Sequence, residues 1–174
     1  VENISVATVV NAEARAGGVV GLLSYSLGVS FKNLSVDSTI TAVSYAGGIV
    51  GYSESFSLSI ENSKVSGSNI TAESYAGGFF GYVSSSEGIA SSSCESSSNT
   101  ITGPNAGGFA GYLITSASDT TSDNIISSNN IGNVEVPTGI GGIYGSLYVS
   151  VQYSALDFNV TSNNVLATTF NGFA

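Results

Sequence analysis

Histidine, methionine and tryptophan are missing from this chain, cysteine occurs once, and only Arg15, Lys32 and Lys64 carry positive charge. Each shortage excludes a chemistry. Without histidine there is no Ser-His-Asp or Cys-His nucleophilic system and no imidazole metal ligand. Three cations against 12 acids, a net charge of −9, cannot neutralise a phosphate backbone, which removes nucleic acid as a partner. The same scarcity removes a polybasic patch for an anionic membrane surface. No run of about 18 apolar residues is present to span a bilayer. Nor does a basic segment followed by an apolar one open the chain, so any export signal is expected upstream or already removed. Cys94 has no partner for an internal disulfide and leaves the redox compartment open. Lacking a cationic neighbour to lower its pKa, it reads as a small stacked residue rather than a reactive thiol.

What is abundant points one way. Hydrophobic residues make up 42% of the 174, there are 22 glycines, and charged residues are only 9%, against roughly 25% in an ordinary soluble domain. Glycine, serine, threonine and β-branched residues with little charge suit stacked β structure, where small residues let backbones approach. The same composition, poor in lysine and rich in Ser, Thr and Asn, points to an extracellular or cell-surface setting.

A repeat organises the chain. Ala16–Gly21, Ala46–Tyr52, Ala76–Tyr82 and Ala106–Tyr112 are copies of one Ala-Gly-Gly motif, and Ile140–Gly145 is a weaker copy. The second glycines, Gly18, Gly48, Gly78, Gly108 and Gly142, define a period of 30 residues with four extra in the fifth unit. Asn171–Ala174 begins a sixth copy. Short alternating runs such as Val36–Thr41, Phe56–Ile60 and Val149–Val151 mark half-buried strands, and no sustained helical periodicity occurs. The reading is all-β: a parallel β-helix, or β-solenoid, of about six coils. Their approximate bounds are 3–33, 34–64, 65–99, 100–130, 131–164 and a partial 165–174, with two or three short strands in each. Serine- and asparagine-rich corners such as 66–69 and 127–130 join the strands.

In-register stacking predicts ladders. The position after each Gly-Gly holds Val19, Ile49, Phe79, Phe109, Ile143 and Phe173, all large and apolar, as an interior column requires. Alternation within the motif predicts Gly47, Ile49 and Gly51 on one strand face, with Gly48, Val50 and Tyr52 on the other. Tyr52, Tyr82 and Tyr112 are expected to form a second column, ending at Leu22 and Ser146.

Ile60–Gly67 followed by Tyr75–Tyr82 resembles the GLUG repeat family, which carries a Gly-Leu-x-Gly core in surface proteins. The resemblance runs through nearly the whole chain, although the motif leucine is Val, Ile or Phe here and the family's Ser-Asn-Cys-Tyr strand is largely eroded. It implies a right-handed parallel β-helix with a scaffold role in adhesins, and it supplies no catalytic residue.

Chemistry elsewhere is thin. Carboxylate pairs are the tools of glycan-cleaving β-helices, but here Glu61 and Glu95 occupy one zone, Asp119 and Asp123 another, and Asp157 stands alone. No aspartate follows the glycines, as a calcium-binding β-roll would need. The glycine motifs recur with no helix or lysine behind them, which favours packing over phosphate binding. No cofactor, metal or catalytic residue is expected. Asn3, Asn33, Asn69 and Asn159 head N-glycosylation sequons, although this composition generates such sequons freely. The serines at 84–86, 91–93 and 96–98 read as a loop or outward wall.

The leading expectation is a non-enzymatic structural or adhesive segment: a surface rod, adhesin stalk or filament. Its partners would be further copies of itself, stacked end to end, or the remaining repeats of a longer chain, because neither end shows a cap. A glycan- or host-protein-binding module comes second, with Tyr45, Tyr52, Tyr75, Tyr82 and Tyr112 as ring platforms. A third class, an ice-binding solenoid, would need a flat regular threonine array, and Thr39, Thr41, Thr71, Thr100 and Thr102 recur too loosely in the sequence to supply one.

Overall fold

The computed structural model describes residues 1–117, 120–132, 138–149 and 157–166. Among them every regular element is a β-strand, and every strand pair is parallel. The strands stack into a β-solenoid of about five turns. The sixth glycine copy at 171–174, and Asp119, lie outside the described residues.

The third, fourth and fifth turns use five short strands each rather than the two or three expected. In the third turn these are Leu58–Glu61, Lys64–Ser66, Asn69–Ala72, Tyr75–Gly77 and Phe80–Ser85, here termed the first to fifth walls. The first two walls merge upstream in one strand, Val29–Val36. Val36–Thr41 is correspondingly not one strand: the chain turns a corner at 37–38 before Thr39–Ala42.

Corners explain why so many strands fit into 30 residues. Between the first and second walls, Asn3, Asn33, Asn62, Ser93 and Asp123 all adopt left-handed backbone, with φ from 51° to 58°. Between the second and third walls, Gly67, Ser98, Ser128 and Ser162 do the same. One left-handed residue reverses the pleat and turns the chain without a long loop. Asn, Asp and Ser tolerate this because a short polar side chain bonds locally.

The residue after each corner points inward and needs a hydrogen-bond partner. Ser68 N–H donates to Asn99 Oδ1 at 2.9 Å, Asn99 N–H to Asn129 Oδ1 at 3.0 Å, and Asn129 N–H to Asn163 Oδ1 at 2.9 Å. The amide Nδ2 groups of Asn99 and Asn129 donate back to the carbonyls of Val65 and Ser96. Among the described residues no buried side-chain nitrogen or oxygen is left without a partner. The serine tract is therefore divided: Ser85, Ser91, Ser96 and Ser97 are buried, while Ser86, Ser93 and Ser98 face out.

The glycine motif is itself a corner. The fourth wall ends at Gly47, the chain bends at Gly48 and Ile49, and the fifth wall starts at Val50. The expected alternation fails at that bend, so Ile49 and Val50 are both fully buried while Tyr52 is half-exposed. The columns after the double glycine are continuous. Ile49 N–H donates to the Phe79 carbonyl, Phe79 N–H to Phe109, and Phe109 N–H to Ile143, at 2.8–2.9 Å. Gly18, Gly48, Gly78 and Gly108 stack so closely that a Cβ on any of them would collide with the next glycine's carbonyl oxygen.

Candidate functional site

Three surfaces carry functional side chains: the tyrosine columns, the carboxylate-bearing walls and the threonine-bearing third wall. The tyrosines arise from the glycine corner. Folding the fifth wall back against the fourth sets Tyr45 beside Tyr52, with ring centroids 4.9 Å apart at 69°. Tyr52, Tyr82 and Tyr112 form one column with centroids 4.8 and 5.4 Å apart and planes within 6°. Tyr45 and Tyr75 form another, at 5.4 Å and 6°. Edge contacts at 5.3–6.0 Å tie the columns together. At one end the Arg15 guanidinium lies 4.8 Å from the Tyr52 ring centroid, a cation–π cap. At the other end Asn105 and Ser146 take over the two columns and hydrogen-bond at 3.0 Å.

Burial pushes the Tyr52 phenol up to about 12, helped by its hydrogen bond to Glu54 and by that carboxylate's charge. Tyr82 is shifted the same way, again mainly by burial. Sugars stack on ring faces, and here those faces are turned toward one another. The columns thus work as a staple between turns. Sequence spacing aligns Tyr52, Tyr82 and Tyr112 in one column, as found, but does not place Tyr45 beside Tyr52 or either beside Arg15.

The carboxylates are dispersed. Glu61 on the first wall pairs with Lys32 at 2.7 Å, and Glu95 on the second pairs with Lys64 at 2.8 Å. The hydrogen bond from Lys64, reinforced by Ser97, lowers the Glu95 carboxyl below its ordinary value. A shallow depression of about 280 Å³ crosses the first wall at Ser59, Glu61, Ser91, Ser92 and Thr121, with Glu61 as its single acid. Asp123 lies one corner away, its N–H 3.4 Å from an Asp157 carboxylate oxygen. No cluster of three or more metal-ligating side chains occurs among the described residues.

Cys94 is buried in the column that Ser63 and Asn124 occupy in neighbouring turns, and its N–H donates to Asn124 Oδ1 at 3.1 Å. Desolvation raises its thiol to about 11, so it is a poor nucleophile at neutral pH. Of the sequon asparagines, Asn3 and Asn33 sit at left-handed outer corners, where Asn33 Nδ2 donates to Asn3 Oδ1 at 2.9 Å. Asn69 points out from the third wall, and Asn159 is exposed on the second.

The threonines fall into register. On the third wall one outward column runs Val9, Thr39, Asn69, Thr100, Asn130 and Asn164. The adjacent outward column runs Asn11, Thr41, Thr71, Thr102, Gly132 and Leu166. Their loose sequence spacing has a local cause. Thr39 and Asn69 are 30 apart but Asn69 and Thr100 are 31 apart, and the extra residue is absorbed before the first wall, beside Gly88 with its φ of 87°.

No protein-family model, no curated protein and no solved structure matches this chain.

Proposed function

We propose that this chain is a length of a non-enzymatic, extracellular structural or adhesive rod, forming part of a surface stalk or a head-to-tail filament. The observation that carries the reading is that its stabilising groups are completed by the neighbouring turn. Backbone ladders, buried asparagines, tyrosine columns and both lysine–carboxylate pairs all run between turns. Such a stack gains stability by adding turns, the property of an extendable solenoid. Its partners are then further copies of itself or the remaining repeats of a longer chain. The resemblance to GLUG repeats supports a surface location, and the dispersed, lysine-paired acids support a non-catalytic role.

A glycan- or host-protein-binding module is the alternative. It draws on the same tyrosines, and their mutual stacking weighs against it.

Negative-stain microscopy of the purified chain, followed by cryo-electron microscopy of any fibres, separates the two structural forms. Fibres with a strand repeat of about 4.8 Å along their axis indicate a filament, and discrete particles indicate a stalk segment. Cleavage of any member of an oligosaccharide panel, lost in Glu61→Gln, would overturn the structural reading altogether.

A further inference from the structure

We infer that the outward face of the third wall binds crystalline water, that is, an ice surface. The inference rests on the threonine grid and is independent of the rod reading. The third wall is the one wall of the five whose described strands carry no charged residue. The acids nearest in sequence, Glu13, Asp37 and Glu73, fall in the corners beside it. Elsewhere Lys32 and Glu61, Lys64 and Glu95, Arg15, and Glu54 mark the other four walls. An uncharged face matters because an ion holds its own hydration shell and breaks any lattice laid over it.

The second observation concerns the hydroxyls. Thr39, Thr41 and Thr100 are exposed, Thr71 and Thr102 are half-exposed, and none of the five side chains hydrogen-bonds to another described protein group. Threonines on a solenoid wall ordinarily bond along the column or back to the main chain. Here all five offer a free hydroxyl beside a methyl. The hydroxyl can take a lattice position, and the methyl orders the water next to it.

Geometry supplies the match. Parallel strands repeat about every 4.8 Å across the wall, and alternate residues about every 6.7 Å along it. The first spacing is close to the oxygen repeat of hexagonal ice along its a axis. Beneath the grid Ile40, Ile70, Ile101 and Ile131 are fully buried, so the hydroxyls stand on a packed layer. The register is continuous through Val9, Thr39, Asn69 and Thr100.

The test uses the unglycosylated chain, because a glycan on Asn69 would lie across the face. Ice grown in its presence should develop facets, and recrystallisation of a frozen suspension should be arrested. Thr41→Lys/Thr71→Lys places two cations on the grid and should abolish both effects while circular dichroism and the melting temperature stay unchanged. Ser84→Lys, on the fifth wall, should leave both effects intact. If the double variant does not fold, Thr100→Lys reads the same face. Ice that grows as in buffer with the unmodified chain overturns the inference, as does full activity in a folded double variant. A second overturning result is a dimer, seen by sedimentation, that the lysine substitutions disperse without any effect on ice; the face would then serve a second copy of the chain.

Discussion

At Gly78 one hydrogen atom decides whether the turns can stack. A Cβ there would strike the Gly108 carbonyl and the Ser96 hydroxyl, and that carbonyl shares its peptide plane with the Phe109 N–H, so it cannot turn away without disturbing the bond from Phe109 N–H to the Ile143 carbonyl at 2.8 Å. Gly78→Ala should therefore cost more than about 3 kcal/mol, the range of substitutions that force backbone rearrangement. Gly28→Ala is the control: it is exposed, and its added carbon would meet only the Ser57 hydroxyl at 3.4 Å. Urea denaturation of both variants checks this, and equal midpoints would refute the stacked-glycine account. Gly78 was legible in the sequence because it recurs at a fixed period. Asn99, equally embedded, was not. Its column reads Ser68, Asn99, Asn129 and Asn163, so residue identity changes along it, and its function depends on a left-handed corner that Gly67 and Ser98 fill with different residues.

Among the strands, those of three or four residues joined by a single left-handed residue hide from periodicity. An alternation such as Val36–Thr41 passes through a corner at 37–38, and the burial of Val36, Ser38 and Ile40 alternates straight across it, so the pattern carries no sign that the strand is split. That is why two or three strands per turn were legible and five were present. The register lengthens by four residues between Gly132, which ends the third wall, and Gly139, which starts the fourth. The outward walls keep their register across it. The tyrosine columns allow a test of coupling between turns. Tyr82 stacks on Tyr52 and Tyr112, and such pairs contribute about 0.5–1.5 kcal/mol each. Tyr82→Ser, which copies the residue Ser146 places in the same column, should thus lower stability by about 2 kcal/mol with an unchanged denaturant slope. A change within about 0.5 kcal/mol, the scatter of ordinary surface substitutions, would make the columns decoration rather than a staple.

Across the whole molecule, titration follows from what the stack desolvates. Four groups hold their protons more tightly folded than unfolded: Tyr52, raised from 10.0 to about 12, Cys94, raised from 9.0 to about 11, Tyr82, raised mainly by burial, and Lys32, raised by its hydrogen bond to Glu61. For a group whose folded pKa is raised, the stabilising contribution is complete below the unfolded value and disappears as pH climbs through the folded one. Stability should therefore hold up to about pH 9 and fall progressively to about pH 12. The acid side behaves differently. Glu95 is lowered by Lys64 and Ser97, so its contribution is present at neutral pH and lost as pH drops below the ordinary carboxylate range. Because that pair is partly exposed, solvent screening keeps the acid loss small. The melting temperature should form an asymmetric profile with its steep limb on the alkaline side. Tyr52→Phe removes the titrating phenol but keeps the ring, so it should delay the alkaline loss, and Cys94→Ser should remove the portion that begins near pH 9. Thermal melts from pH 4 to 12, run beside phenolate absorbance, read both limbs. A symmetric profile, or a phenolate titration above pH 10 that Tyr52→Phe leaves unchanged while the chain is still folded, would mean that the columns are wet and do not staple one turn to the next.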